Sequence, residues 1–158
     1  MFFGKKKNTV LLAPLSGRVA TLDEVPDPVF SDRIIGDGAA IWPESNLLLA
    51  PAAGVVSNLA DTYHAYGITT VDGLEVLIHI GIDTVKLLGQ GFKPLVKEGQ
   101  KIKPGTPLAQ IDLEAVKASG YAIWTPVIIT NLEQIASMSV QTGTAEAGKT
   151  TIVKYEKK

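Results

Sequence analysis

The chain has 158 residues, and its 15 basic and 16 acidic side chains leave a net charge of −1. That balance argues against a nucleic-acid partner, which needs a basic excess. The absence of cysteine excludes disulfides, thiol nucleophiles and thiolate metal sites.

Mean hydropathy is positive, yet no apolar run approaches the ~20 residues that span a bilayer. The apolar content therefore reads as core, in a chain long enough to bury about two thirds of its unfolded surface. Fifteen glycines and nine prolines mean many turns, and with few helical-period runs they favour an all-β class.

Residues 1–8 are expected to form a flexible tail, and residues 9–158 a single domain. Met1-Phe2-Phe3-Gly4-Lys5-Lys6-Lys7 has the wrong order for a signal peptide. Its aromatics and lysines would suit a weak contact with an anionic membrane surface, but a solvated terminus is the plainer reading.

An internal repeat follows. Leu11-Leu12-Ala13-Pro14-Leu15-Ser16-Gly17-Arg18-Val19 matches Leu48-Leu49-Ala50-Pro51-Ala52-Ala53-Gly54-Val55-Val56, and a leucine closes each copy at Leu22 and Leu59. Each copy predicts a short strand, a proline turn, a glycine and a second strand. Two copies cannot build a solenoid, so they predict a pseudo-symmetric sandwich.

Between the copies, Pro26 and Pro28 forbid a regular strand. Phe30, Ile34 and Ile35 then fit one apolar helical turn, either a lid on the core or an exposed docking rim. Gly36-Asp37-Gly38 predicts a turn, and Ala39 to Trp42 a strand stopped by Pro43.

After the second copy come the chain's two histidines. In Asp61-Thr62-Tyr63-His64-Ala65-Tyr66, an extended backbone would put Thr62 and His64 on one face, where the hydroxyl can bond a ring nitrogen. A turn at Val71-Asp72-Gly73 would pair this segment with Leu74 to Thr84 as a hairpin. In that second strand Leu74, Val76, Ile78 and Ile80 face the core, while Glu75, Leu77, His79 and Gly81 face away. Gly81 would let another backbone or a partner come close to His79. Two histidines on neighbouring strands, with a hydroxyl beside one of them, point to chemistry more strongly than either histidine alone.

Gly89-Gln90-Gly91 lacks the ending of a phosphate-binding loop and predicts a plain turn. Val96 to Leu108 predicts a β arch with two turns. Asp112 caps the best helix candidate, which runs to Ala118 and stops at Gly120. Pro126 to Asn131 predicts a buried strand and Thr150 to Tyr155 a closing one.

From about Val10 to Val153 the chain resembles the glucose-type enzyme IIA proteins of the bacterial sugar phosphotransferase system. The likeness rests on Ala13-Pro14-Leu15-Ser16-Gly17, Glu24-Val25-Pro26-Asp27-Pro28-Val29-Phe30, Ile35-Gly36-Asp37-Gly38, His79-Ile80-Gly81-Ile82-Asp83-Thr84-Val85, Gly89-Gln90-Gly91-Phe92 and Thr125-Pro126-Val127-Ile128-Ile129-Thr130-Asn131, in that order.

The resemblance implies an antiparallel β-sandwich of the duplicated hybrid motif type, with very short helices. It implies a free-standing cytoplasmic carrier, taken as a monomer. His79 would accept a phosphoryl group from the histidine-containing phosphocarrier protein and pass it to the IIB domain of a sugar permease. His64 matches the family's second active-site histidine, and Thr62 the threonine that orients it. Phe30, Ile34, Ile35 and Leu77 fall in its apolar docking ring, and Asp27 and Asp83 near the reactive ring. Ala60 stands where relatives can carry an aromatic, which predicts a flatter rim. Which sugar permease and which regulatory targets are served is left open.

An imidazole near its ordinary pKa of ~6.5 is largely neutral and nucleophilic at cell pH. His79 is expected bare to solvent, attacking through its solvent-side nitrogen while the other donates to a backbone carbonyl. His64 would donate to the phosphoryl oxygens. No cofactor is required. Zinc bridging His64 and His79 would need a carboxylate lent by a partner. Three rivals stand beside this reading. A lipoyl or biotinyl carrier needs a lysine tip that the arch lacks. A zinc peptidase needs more histidines than two. The third is an interaction module with no transfer.

Overall fold

The computed structural model describes residues 9–158. The expectations for residues 1–8, a flexible tail and a membrane-surface contact, lie outside the described residues.

The first copy of the repeat supplies β1 (Thr9–Leu12) and β2 (Gly17–Thr21). One helical turn, α1 (Pro28–Ser31), leads into β3 (Asp37–Pro43). The second copy supplies β4 (Leu47–Leu49) and β5 (Gly54–Leu59), followed by the hairpin of β6 (Ala65–Thr70) and β7 (Glu75–His79). Then come β8 (Phe92–Pro94), β9 (Lys101–Ile102), β10 (Pro107–Ile111) and the helix α2 (Leu113–Ala118). The chain closes with β11 (Thr125–Ile129), β12 (Ile135–Val140), β13 (Gly143–Ala145) and β14 (Thr151–Lys157).

Among the described residues the strands pair antiparallel. An eight-stranded sheet runs β13-β2-β3-β11-β7-β6-β5-β9, and two three-stranded sheets run β1-β14-β12 and β4-β10-β8. Exchange the two copies and the large sheet reads the same from either end, while the two small sheets trade places. The exchange extends to single hydrogen bonds. Leu12 N–H donates to Pro51 O at 3.0 Å, and Leu49 N–H donates to Pro14 O at 2.9 Å. The duplication in the sequence is thus a two-fold in the fold. The glycine of each copy has one shared cause: a Cβ on Gly17 would strike the Trp42 carbonyl, and one on Gly54 the Thr69 carbonyl.

Alternation sorts the strands onto two faces. Val76 and Ile78 of β7, and Val127 and Ile129 of β11, join Leu11, Leu48, Ile68 and Leu108 in the main core. The opposite face of the same sheet carries a second cluster, in which Ala20, Ala40 and Ile128 meet Leu22, Val25, Phe30, Ile82 and Trp124. Covered on both sides, β11 is buried throughout, as its unbroken Val and Ile run requires.

Three local expectations are corrected. Asp37 and Gly38 belong to β3 rather than to a turn, because Gly38 lies against the Val127 carbonyl of the adjacent strand where no Cβ fits. Pro43 ends β3 from inside, opposite Gly17. Ile135–Val140 and Gly143–Ala145 form strands that the sequence reading did not anticipate.

Candidate active site

The β6–β7 register sets Ala65 opposite His79, so His64 arrives beside His79 from the adjoining turn. Ile80 N–H donates to the His64 carbonyl at 2.7 Å and locks the two backbones together. The two rings meet edge to face, with centroids 4.9 Å apart and planes at 83°.

Thr62 and His64 do not share a strand face as expected. They lie in a turn that precedes β6, and Tyr63 between them is left-handed at φ 59°. The turn still delivers the expected contact: Thr62 Oγ1 and His64 Nδ1 are 2.7 Å apart. His64 is buried, at 8 % exposure.

His79 ends β7 on the face away from the main core, with Leu77 on the same face. Its ring is half-buried rather than bare to solvent. His79 Nδ1 lies 2.7 Å from the Gly81 carbonyl oxygen. A carbonyl can only accept, so Nδ1 carries the proton and Nε2 keeps the lone pair. Gly81 has a role the sequence reading missed. At φ 75° it makes the left-handed turn that brings its own carbonyl back to His79. The available signal was the glycine two residues beyond the histidine, read there as room for another backbone or a partner.

Of the two readings of Phe30, core lid or docking rim, the structure shows the first: it is buried at 5 % exposure, with its ring centroid 5.1 Å from that of His79. The segment that carries it is fastened at both ends. Asp27 caps α1 by accepting from Val29 N–H at 2.9 Å. Arg33, left-handed at φ 56°, bonds Asp23 at 2.9 Å and Asp37 at 3.1 Å. Ile35 packs half-buried against the outer cluster, and Ile34 stands 68 % exposed. Val29, Val85 and Leu88 are exposed apolar side chains that the sequence reading did not single out. Asp83 adopts a left-handed backbone between Ile82 and the 3-10 turn Thr84–Leu87.

Both imidazoles are held neutral. Burial, reinforced by the neighbouring His79, pulls His64 down to about 4. Burial also lowers His79 below 6.5, opposed by the bond to Gly81 and by the carboxylates of Asp27 and Asp83. Each histidine therefore offers one lone-pair nitrogen and one N–H near neutral pH. Among the described residues, no group of three or more histidines and carboxylates gathers to hold a metal ion.

Residues 9–135 match the family described as phosphoenolpyruvate-dependent sugar phosphotransferase system, EIIA 1. The chain belongs to that family.

Its relatives agree along nearly the full length. The glucose-specific EIIA component of Buchnera aphidicola subsp. Acyrthosiphon pisum is 47% identical over 152 residues, covering 96% of this chain and 94% of that protein. The Bacillus anthracis glucose-specific EIIA component is 41% identical, covering 98% and 95%. The β-glucoside-specific EIIBCA component of Bacillus subtilis is 48% identical over 132 residues, 84% of this chain but 22% of that longer protein. Among solved structures, glucose permease IIA from Mycoplasma capricolum superposes with a TM-score of 0.88 at 40% identity, covering 97% of this chain and 99% of that one.

Like the rest of its family, this chain is a phosphotransferase component that carries phosphoryl groups in sugar uptake. The lipoyl, peptidase and non-transferring readings lose their support. No helix among the described residues is long and apolar enough to cross a membrane.

Proposed function

We propose that His79 is the phosphoryl acceptor, taking the group from the phosphorylated histidine-containing phosphocarrier protein and giving it to the IIB domain of a sugar permease. Glucose is the sugar class suggested by the relatives' names, and the fused EIIBCA relative supports a IIB partner. The reading has the chain acting in the cytoplasm, as a monomer with one folded domain.

The observation that carries it is the 2.7 Å bond from His79 Nδ1–H to the Gly81 carbonyl, which leaves Nε2 as the nucleophile. The Nε2 lone pair attacks phosphorus as the bond from phosphorus to the donor's histidine nitrogen breaks. Onward transfer repeats the exchange, with Nε2 of His79 as the leaving group. Phosphoryl transfer runs through a loose transition state, so positioning and charge stabilisation do most of the work.

His64 supplies part of both. This role assigns the proton of the 2.7 Å contact to Thr62 Oγ1, donating to His64 Nδ1, so that His64 Nε2–H donates to the phosphoryl oxygens. Phe30 braces the His79 ring with a tilted contact. Ile34, Leu77 and Ile35 belong to the docking surface that excludes water while the reactive phosphorus–nitrogen bond is exchanged. Phe30 contributes to that surface through its support of His79. Asp27 and Asp83 set the local field at His79. No cofactor is needed for these steps. Two neutral imidazoles suit zinc, but His64 and His79 would still need a partner's carboxylate to complete a site. Regulatory partners would meet the same face.

The test is incubation with phosphoenolpyruvate and the two general phosphotransferase proteins. An acid-labile phosphate should appear on the wild-type protein and be absent from His79→Gln. Equal labelling of the two proteins contradicts the reading.

A further inference from the structure

Five residues past His79, Thr84 is fully buried, and its hydroxyl is not spent on capping the 3-10 turn it begins. Instead Thr84 Oγ1–H donates to the Ile80 carbonyl at 2.5 Å. Its methyl faces Gly81 so closely that a Cβ on Gly81 would lie 2.6 Å from Thr84 Cγ2 and 3.1 Å from the Ala122 carbonyl oxygen.

These contacts bear on two successive peptide planes. The Ile80–Gly81 plane is held through its carbonyl by Thr84. The residue before it is anchored by Ile80 N–H to the His64 carbonyl at 2.7 Å. The Gly81–Ile82 plane is held by Ile82 N–H to the Ala122 carbonyl at 2.9 Å, and its carbonyl is the one that accepts from His79 Nδ1. Glycine has little torsional preference of its own. The angle between the two planes is therefore set by what grips them, and Thr84 grips the first.

We infer that Thr84 is a positioning residue for phosphoryl transfer: it fixes the Gly81 turn, and through it the proton on Nδ1 and the lone pair on Nε2 of His79. It touches neither the reacting atoms nor a partner. The inference rests on His79 being the acceptor, but its first readout does not depend on transfer.

The experiment records 15N spectra of the His79 ring in the unphosphorylated full chain. Wild type should show a protonated Nδ1 and an unprotonated Nε2. Thr84→Val keeps the shape and removes the donor, so both nitrogens should move toward intermediate shifts as the second tautomer is populated. Initial phosphorylation rate should fall about tenfold. Thr84→Ser retains the hydroxyl and should restore both. Thr84→Ala is measured in parallel, so that the decision is taken on whichever variant is folded by its amide spectrum. A folded Val or Ala variant with the wild-type ring pattern overturns the inference. Absence of phosphate from His79 in the wild type would instead overturn the carrier reading, leaving the tautomer comparison to decide on Thr84.

Discussion

The rings of His64 and His79 meet edge to face at 4.9 Å, where a bond from Ile80 N–H to the His64 carbonyl continues the β6–β7 pairing. Two cations at that separation would repel strongly in a half-buried site. The pair is usable because burial keeps both neutral. One can then attack while the other donates.

This neutrality has a cost that pH reveals. His64 holds its proton only below about 4 when folded, against 6.5 when unfolded. Between those values the unfolded chain binds a proton that the folded chain does not, so stability falls as pH drops through this window. At 1.36 kcal/mol per unit, His64 should account for about 2 kcal/mol of lost stability between roughly pH 7.5 and 5. His79 is shifted in the same direction and adds to it. Urea titrations across this range should show the loss, and His64→Gln should remove much of it. Equal pH slopes in the two proteins would contradict the burial argument.

Removing the donor should separate acceptance from delivery. His64→Gln should still take phosphate on His79 but pass it to the IIB domain about 100-fold more slowly, as expected for a lost donor at developing charge. Thr62→Val should lose less, about tenfold, because the ring remains and only the group orienting it has gone. Rapid-quench transfer assays check the order. A Thr62→Val defect larger than that of His64→Gln would reverse the assigned roles.

Docking should depend on the exposed apolar rim and not on exposed apolar residues elsewhere. Ile34 is 68 % exposed beside the site, while Val71 is 82 % exposed at the far tip of the β6–β7 hairpin. Ile34→Asp should raise the KM for the protein partners about tenfold with little change in kcat, the loss of one apolar anchor from a small interface. Val71→Asp should leave both constants unchanged. Equal effects would place the docking face elsewhere.

Much of the fold was legible because it rests on near-neighbour rules. The Leu-Leu-Ala-Pro repeat became two related sheets joined across Leu12–Pro51 and Leu49–Pro14. Period-two alternation sent Val76 and Ile78 inward and turned His79 outward. What escaped the sequence depended on remote partners. The burial of Phe30 requires Ala40 of β3 together with Trp124 and Ile128 at β11, two parts of the chain remote from it in sequence. The turn at Tyr63 uses a left-handed backbone that a bulky residue seldom adopts. β12 alternates weakly and buries only Ile135, so hydropathy gave no strand signal there.

The central claim concerns one atom, Nε2 of His79. Phosphorus and nitrogen NMR of the freshly phosphorylated protein reads the bonded atom directly. The account predicts a single phosphoramidate on His79 Nε2, with Nδ1 still protonated and bonded to the Gly81 carbonyl. Phosphate on His79 Nδ1, or on His64, would contradict it.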